Sequence, residues 1–465
     1  MQPTRIQRPP ARNLMRAEAA SIGELASAIA AGRVTATAVT EACLARIEAR
    51  NAALNAFISV QADDALRAAH AADAEIARGA YRGPLHGVPI SLKDLIDVRG
   101  VPTTAASRVR EHHVARADAR VVVRLREAGA VLIGKTNLHE FAFGTTNEES
   151  GWGPARHPQD PARSPGGSSG GSAISVAEGM AWASVGTDTG GSIRIPAAAC
   201  GLVGLKPSLG EVPTSGIVPL SHTMDHVGPL CRTVDDAALL FDTLRGERPR
   251  ARGESPAPGG LRLGVPAGHL TARLEPAIRD AFVSVCDRLQ ASGVTIEHVA
   301  IPHAGDVGPI YLHIGLSEAA AFHASSLERT PELYTPGVRM RLELGRYVLA
   351  EDYVRALIGR DTLIGEVDRA VCSVDALLLP SLAVQAPVIG TATVTIDDHP
   401  EPVRSLMLRQ TQLFNVTGHP AVTLPCDERA HGLPVGIQLV GRLRGTDDLL
   451  DVARTVAPLA LRRDC

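Results

Sequence analysis

Aromatic residues make up only 3% of this 465-residue chain. A core with so few rings must be packed by Ala, Val, Leu and Ile, and the 45% hydrophobic content supplies enough of them for a large core. An excess of one charge is missing too: 47 Lys and Arg against 50 Asp and Glu leave a net charge of −3. That argues against the basic face through which proteins hold nucleic acid. No uninterrupted apolar run reaches the roughly 18 residues of a membrane span. Neither nucleic acid nor membrane is therefore expected as a partner. The seven cysteines are scattered without a CxxC pair or metal-ligand spacing, and the 16 histidines form no HExxH. Reduced thiols in a cytoplasmic protein, with no metal or other cofactor, are the expectation. The opening MQPTRIQRPPARNL has three arginines but no apolar stretch behind them, unlike a secretory signal. Residues 1–20 read as an extended, frayed arm.

What the chain does contain is α/β texture. Ser21 and Glu24 form a capping-box pattern opening a helix over 21–31, a second helical pattern runs to about Arg50, and Gln61–Arg78 is a third, ended by Gly79. From Gly83-Pro84 onward short apolar runs (VPISL, AVLIG) alternate with helical patterns, as in a sheet with helices on its faces. Residues 157–171 are too rich in Pro and Gly for regular structure, and 245–260 reads as a solvated loop. Strand, helix and strand follow near 261–265, 275–291 and 294–300; the stretch 315–372 is rich in helix formers; strands return at 376–380, 421–425 and 435–440, and 446–456 is a last helix.

Two short patterns mislead. GAVLIGKT (129–136) satisfies the Walker A expression, yet a phosphate cradle needs a glycine-rich loop, and Ala-Val-Leu-Ile is a buried strand. GGSSG (166–170) satisfies the nucleophile-elbow expression, but Pro161 and Pro165 deny it the strand that must lead in.

The informative segments are SPGGSSGGSA (164–173) and GTDTGGSIRIP (186–196), two glycine-serine loops flanking a helix-like stretch at 173–183. Linkers are polar on both sides. The second loop instead lies between apolar segments, so its glycines are better explained by close approach of backbone N–H groups to a ligand. A serine nucleophile needs a base, and neither loop offers a histidine or carboxylate obviously placed for it. Lys93, at the end of an apolar run in GVPISLKDLIDVRG, is the candidate; the alternative is a lysine paired with Asp94 or Asp97.

LHGVPISLKDLIDVRG, SPGGSSGGSA and GTDTGGSIRIPAAACGLVGLKPS, in this order, resemble the amidase signature family, with weaker similarity from about residue 20 to 460 that includes LPVGIQLVGR. The resemblance implies one large α/β/α domain around a mixed, twisted sheet of roughly eleven strands. It divides the chain into the arm (1–20), N-terminal helices (21–80), a signature core (81–245), a variable substrate-pocket region (261–375) and the C-terminal part of the sheet (376–465). It implies Ser192 as acyl-forming nucleophile, Ser168 as relay on a cis peptide from Gly167, and Lys93 as base. The N–H groups of Thr189, Gly190 and Gly191 would form the oxyanion hole, with Asp188 and Arg194 bracing that loop. Ala142, Phe143 and Gly144, with the stretch 315–350, would line the substrate pocket.

The chemistry suits these residue types. A free lysine is protonated near neutrality, but burial can bring its pKa down to about 7–8, where it can act as a base through a serine hydroxyl. The expected activity is hydrolysis of a small carboxylic amide, anilide or related carbamate or ester, and the resemblance leaves room for a homodimer. The alternative is the glutaminase subunit of a tRNA-dependent amidotransferase, against which Ser-Leu-Gly-Glu (208–211) stands where that subunit has Thr-Tyr-Gly-Arg. A scaffold retaining the fold is a third reading, disfavoured by the presence of all three catalytic residue types.

Overall fold

The computed structural model describes residues 21–250 and 252–461, so the expected arm at 1–20 lies outside the described residues. Thirteen strands are present among the described residues: β1 (Phe57–Val60), β2 (Pro89–Lys93), β3 (Val131–Thr136), β4 (Ala183–Asp188), β5 (Val203–Lys206), β6 (His226–Cys231), β7 (Arg262–Pro266), β8 (Thr295–Val299), β9 (Ala376–Pro380), β10 (Thr393–Ile396), β11 (His399–Pro402), β12 (Ala421–Ala430) and β13 (Leu433–Val440). Eleven of them form one sheet in the order β1-β3-β2-β4-β6-β5-β12-β13-β9-β7-β8. It is mixed: β3-β2-β4 and β9-β7-β8 are parallel, and the strands between them pair antiparallel. The fold is the expected α/β architecture.

Both faces of the sheet are covered, which a single strand demonstrates. In β9, Ala376 and Leu378 join one apolar cluster and Leu377 and Leu379 another. Successive strand residues point to opposite faces, so the two clusters are the two sides of the sheet. The first cluster receives the helices Ile22–Ala30, Ala36–Leu54, Arg120–Glu127, Val234–Arg245, Pro276–Ala291 and Thr446–Ala460. The second receives Arg194–Cys200, Val307–Arg329 and Ala350–Cys372.

Local chemistry explains the boundaries. The Ser21 capping box forms, with Glu24 N donating to Ser21 Oγ at 3.1 Å and Ser21 N to the Glu24 carboxylate at 3.2 Å. The Walker-like segment is strand β3, second from one edge of the sheet; a Cβ on Gly134 would lie 2.7 Å from Ser59 O of the neighbouring edge strand β1, so this glycine serves close strand approach. Two expectations shift. The helix placed at 173–183 spans Gly170–Ala177, and 183–188 is strand β4. Gly170 and Gly171 therefore begin a helix where irregular backbone was expected: a Cβ on Gly171 would meet Asn137 N at 2.7 Å, so only glycine lets this turn pack so closely. The loop at 245–260 is also better anchored than a solvated loop, since Arg245, Arg250 and Arg252 each reach Asp447 at 2.8 Å. The β10–β11 hairpin was not expected; Asp397 and Asp398, at φ 50° and 63°, form its left-handed turn. No helix among the described residues is long and apolar enough to cross a membrane.

Candidate active site

β2 and β4 are parallel neighbours, with Leu92 opposite Val185. Their carboxyl ends therefore emerge together, the usual place for a ligand site in such sheets. Lys93 closes β2 and is fully buried. Its Nζ is hydrogen-bonded to Ser168 Oγ at 2.7 Å and Thr187 Oγ1 at 2.8 Å, with Thr187 O at 3.5 Å. It does not pair with Asp94, which binds the buried Lys135 at 2.7 Å. Burial lowers the Lys93 pKa to about 7, against the opposing pull of Asp188 and Asp225.

Ser168 is fully buried and follows a cis peptide bond from Gly167. Gly167 packs against the 145–147 segment, where an added Cβ would lie 2.8 Å from Asn147 N. The glycine-serine segment continues into the helix Gly170–Ala177, with Asn147 Oδ1 accepting from Gly170 N at 3.1 Å.

The second loop leaves β4 after Asp188. Arg194, wholly buried, donates through Nε and an Nη to both oxygens of Asp188 at 3.0 and 2.9 Å. Its remaining donors meet Asn415 Oδ1 (2.6 Å), Gln438 Oε1 (2.7 Å) and Thr411 O (3.1 Å). Asp188 also accepts from Ile193 N at 3.1 Å and Asn415 Nδ2 at 2.8 Å. Burial alone would raise the Asp188 pKa; the Arg194 charge and these hydrogen bonds outweigh it and hold the carboxyl below the usual range. Thr411 Oγ1 donates to Gly190 O at 2.6 Å, and Thr189 Oγ1 donates to Asp225 at 2.6 Å. Burial pushes Asp225 up to about 6 despite its hydrogen bonds from Thr189, Leu220 and Ser221. The N–H groups of Gly190 and Gly191 find no acceptor among the described residues.

Ser192 follows these glycines and keeps 6% exposure, in contrast to Ser168 at 0%. The two segments meet through Ser169 N donating to Ser192 O at 3.2 Å. The Ser168 and Ser192 hydroxyls are not hydrogen-bonded to each other. Lys93 and Ser168 are thus joined directly, and Ser192 is brought to them through backbone.

Ala142 and Phe143 are buried in an apolar cluster with Leu316, Ala319, Val338 and Leu342, so helical residues of 315–350 do pack here. Gly144 adjoins the His139 ring, which a Cβ would overlap. The Phe143 ring lies below two guanidinium groups, Arg341 at 5.5 Å and Arg404 at 5.7 Å. Sequence reasoning missed Thr187, Thr411, Asn415, Gln438, Tyr311 and Arg404. For Gln438 a signal existed, a lone amide in the apolar strand run VGIQLV; polar groups at such positions are held by a partner.

Residues 38–450 match the Amidase family. The chain belongs to it. Among its relatives are an amidase of Pseudomonas putida, 40% identical over 89% of this chain and 90% of that protein, and a glutamyl-tRNA(Gln) amidotransferase subunit of Anaeromyxobacter dehalogenans, 38% identical over 96% and 97%. A crystal structure of an amidase, 39% identical, superposes with a TM-score of 0.88 over 94% of this chain and 99% of that one. Membership makes the chain a hydrolase acting on carbon–nitrogen bonds.

Proposed function

We propose that the chain is a stand-alone amidohydrolase that cleaves a small carboxylic amide, anilide or related carbamate or ester through an acyl-Ser192 intermediate. The observation that carries this reading is the buried hydrogen bond of Lys93 Nζ to Ser168 Oγ at 2.7 Å, with the lysine pKa near 7. Neutral Lys93 accepts the Ser168 proton while the Ser168 oxygen accepts that of Ser192. Ser192 Oγ bonds to the substrate carbonyl carbon, and the carbonyl oxygen takes the charge, facing the N–H groups of the 189–191 loop. The tetrahedral adduct collapses with cleavage of the C–N bond, and the proton held by Lys93 returns through Ser168 to the leaving amine. Water then cleaves the ester by the same relay, releasing acid and Ser192. The Ser168–Ser192 hydrogen bond this requires forms with substrate bound, as catalytic hydrogen bonds commonly tighten only then.

The alternative, a glutaminase component of an amidotransferase, draws on the amidotransferase relatives at 38% identity. Against it stands Ser-Leu-Gly-Glu (208–211), where the resemblance gives that subunit Thr-Tyr-Gly-Arg, and here Glu211 serves a local structural purpose. It accepts from Ser208 N at 3.1 Å and from Thr446 Oγ1, tying this loop to the last helix. Labelling of the purified chain with a fluorophosphonate tests the reading. The tag is expected on Ser192, together with turnover of simple amides or anilides by the chain alone. A tag on Ser168, or turnover of glutamine in preference to all other amides, would overturn it.

A further inference from the structure

Arg404, on the short helix Val403–Leu408, is a half-buried guanidinium that the proposed reaction does not use. Among the described residues it has no carboxylate within ion-pair distance; the polar group beside it is the Tyr311 hydroxyl. A nearby carboxylate is already committed. Glu149 accepts from Arg341 at 2.7 Å, from Gly337 N at 2.7 Å and from His139 at 3.2 Å. His139 brings no charge near neutrality, because burial lowers its pKa to about 4. Among the described residues Arg404 therefore shares Glu149 with Arg341 and has no carboxylate of its own. Arg341 also has a buried Nε with no hydrogen-bond partner. The other acidic groups nearby are engaged as well: Glu140 by Thr335 N and Oγ1, Glu148 by Gly390 N, and Asp225 by Thr189 Oγ1, Leu220 N and Ser221 N.

The position of this charge relates it to the reaction. The Tyr311 hydroxyl lies 2.6 Å from where a Cβ on Gly190 would be, so tyrosine and oxyanion-loop glycine are in contact. Gly190, Tyr311, Arg404 and Phe143 are thus successive neighbours, and the series starts two positions before Ser192. Charged side chains are seldom withdrawn from water without a partner. A guanidinium fork is also the natural receptor for a planar carboxylate.

We infer that Arg404, supported by Tyr311 and Arg341, binds a carboxylate carried by the amide substrate, so that this enzyme selects acidic amides over neutral ones. The inference rests on the amidohydrolase reading above. A single guanidinium fork without a carboxylate of its own matches one planar carboxylate.

The test is a matched series: malonamate, succinamate and glutaramate against propionamide, butyramide and valeramide, read as kcat/KM. At the best chain length the carboxylate should favour turnover by about 10²-fold, the scale of a charge-assisted pair. In Arg404→Gln that ratio should fall to within about threefold of unity, and Arg404→Lys should recover part of it. A binding readout accompanies it: malonate, succinate or glutarate should protect Ser192 from fluorophosphonate, and should fail to do so in Arg404→Gln. A wild-type ratio near unity across the series, or an undiminished ratio in Arg404→Gln, would overturn the inference while leaving the amidohydrolase reading intact. An unlabelled Ser192 and no turnover of any amide would sink the amidohydrolase reading, and this inference with it.

Discussion

The two glycine-serine loops look alike in sequence but are held in opposite ways. The 164–173 loop is fixed by close packing of its glycines and by neighbours early in the chain: Gly167 lies against the 145–147 segment, and Gly170 N donates to Asn147 Oδ1. Its serine is sealed from solvent and bonded to a lysine. The 186–196 loop is fixed from beneath by side chains, with every donor group of Arg194 occupied by Asp188, Asn415, Gln438 or Thr411. Its own N–H groups at Gly190 and Gly191 remain unspent, and its serine keeps an opening. Satisfying a loop from below is how its upper surface stays free to hold charge that develops in a reaction. In the proposed reaction the first loop would store the proton and the second would meet the substrate.

The largest effect should come from the proton-storing side. Lys93→Arg keeps a positive charge but cannot accept a proton at working pH. It is expected to lose about 10²–10⁴ in kcat/KM, the range of general-base contributions. Lys93→Met, which fits the cavity without a charge, should lose as much while unfolding near the wild-type temperature. If the arginine variant keeps more than about a tenth of activity, less than about 1.4 kcal/mol is at stake and Lys93 acts as an electrostatic prop. The difference between the loops would then lie elsewhere.

A smaller loss should follow on the substrate side. Gly191 has φ 140°, where L residues are strained, and a Cβ there would lie 2.8 Å from Thr411 Cβ and 2.7 Å from Ile195 Cδ1. Gly191→Ala must shift the loop and misplace its N–H donors. A drop of about 10²–10³ in kcat is expected, the cost of one oxyanion donor. Near-normal turnover in a folded variant would remove the hole from the mechanism.

The sequence showed these loops, but not what supports them. Glycine and serine at apolar boundaries, and a lysine ending a buried strand, are local signals; so are the unbroken runs PISLK and ALLLP of the interior strands β2 and β9. Asn415 and Gln438 lie more than 200 positions from Arg194 and meet it only after the sheet has formed. Tyr311 and Arg404 were hidden for the same reason: a tyrosine on a long helix and an arginine on a short one resemble surface residues until folding places them at one ring and one loop. The hairpin at 393–402 went unseen because its turn uses Asp-Asp, where Asn-Gly or Asp-Gly is the stronger signal.

The finest test concerns how Lys93 is tuned. If neutral lysine is the active form, kcat/KM should rise with pH through an acid limb near pH 7, because the folded-state pKa lies at about 7 and the base is available only above it. The ammonium form has three N–H donors, and it faces Ser168 Oγ, Thr187 Oγ1 and Thr187 O. Removing the Thr187 hydroxyl takes an acceptor from the charged form. Neutral Lys93 loses less, since its single lone pair can still be met by Ser168. Thr187→Val should therefore lower the pKa further and move the acid limb to lower pH by about one unit, the scale of one hydrogen bond to a charged group. A limb that moves upward would mean that Thr187 chiefly donates to neutral Lys93, so that the two hydroxyls compete for its lone pair. A limb that does not move would mean that the titrating group is not Lys93, and the division of labour between the two loops would have to be redrawn.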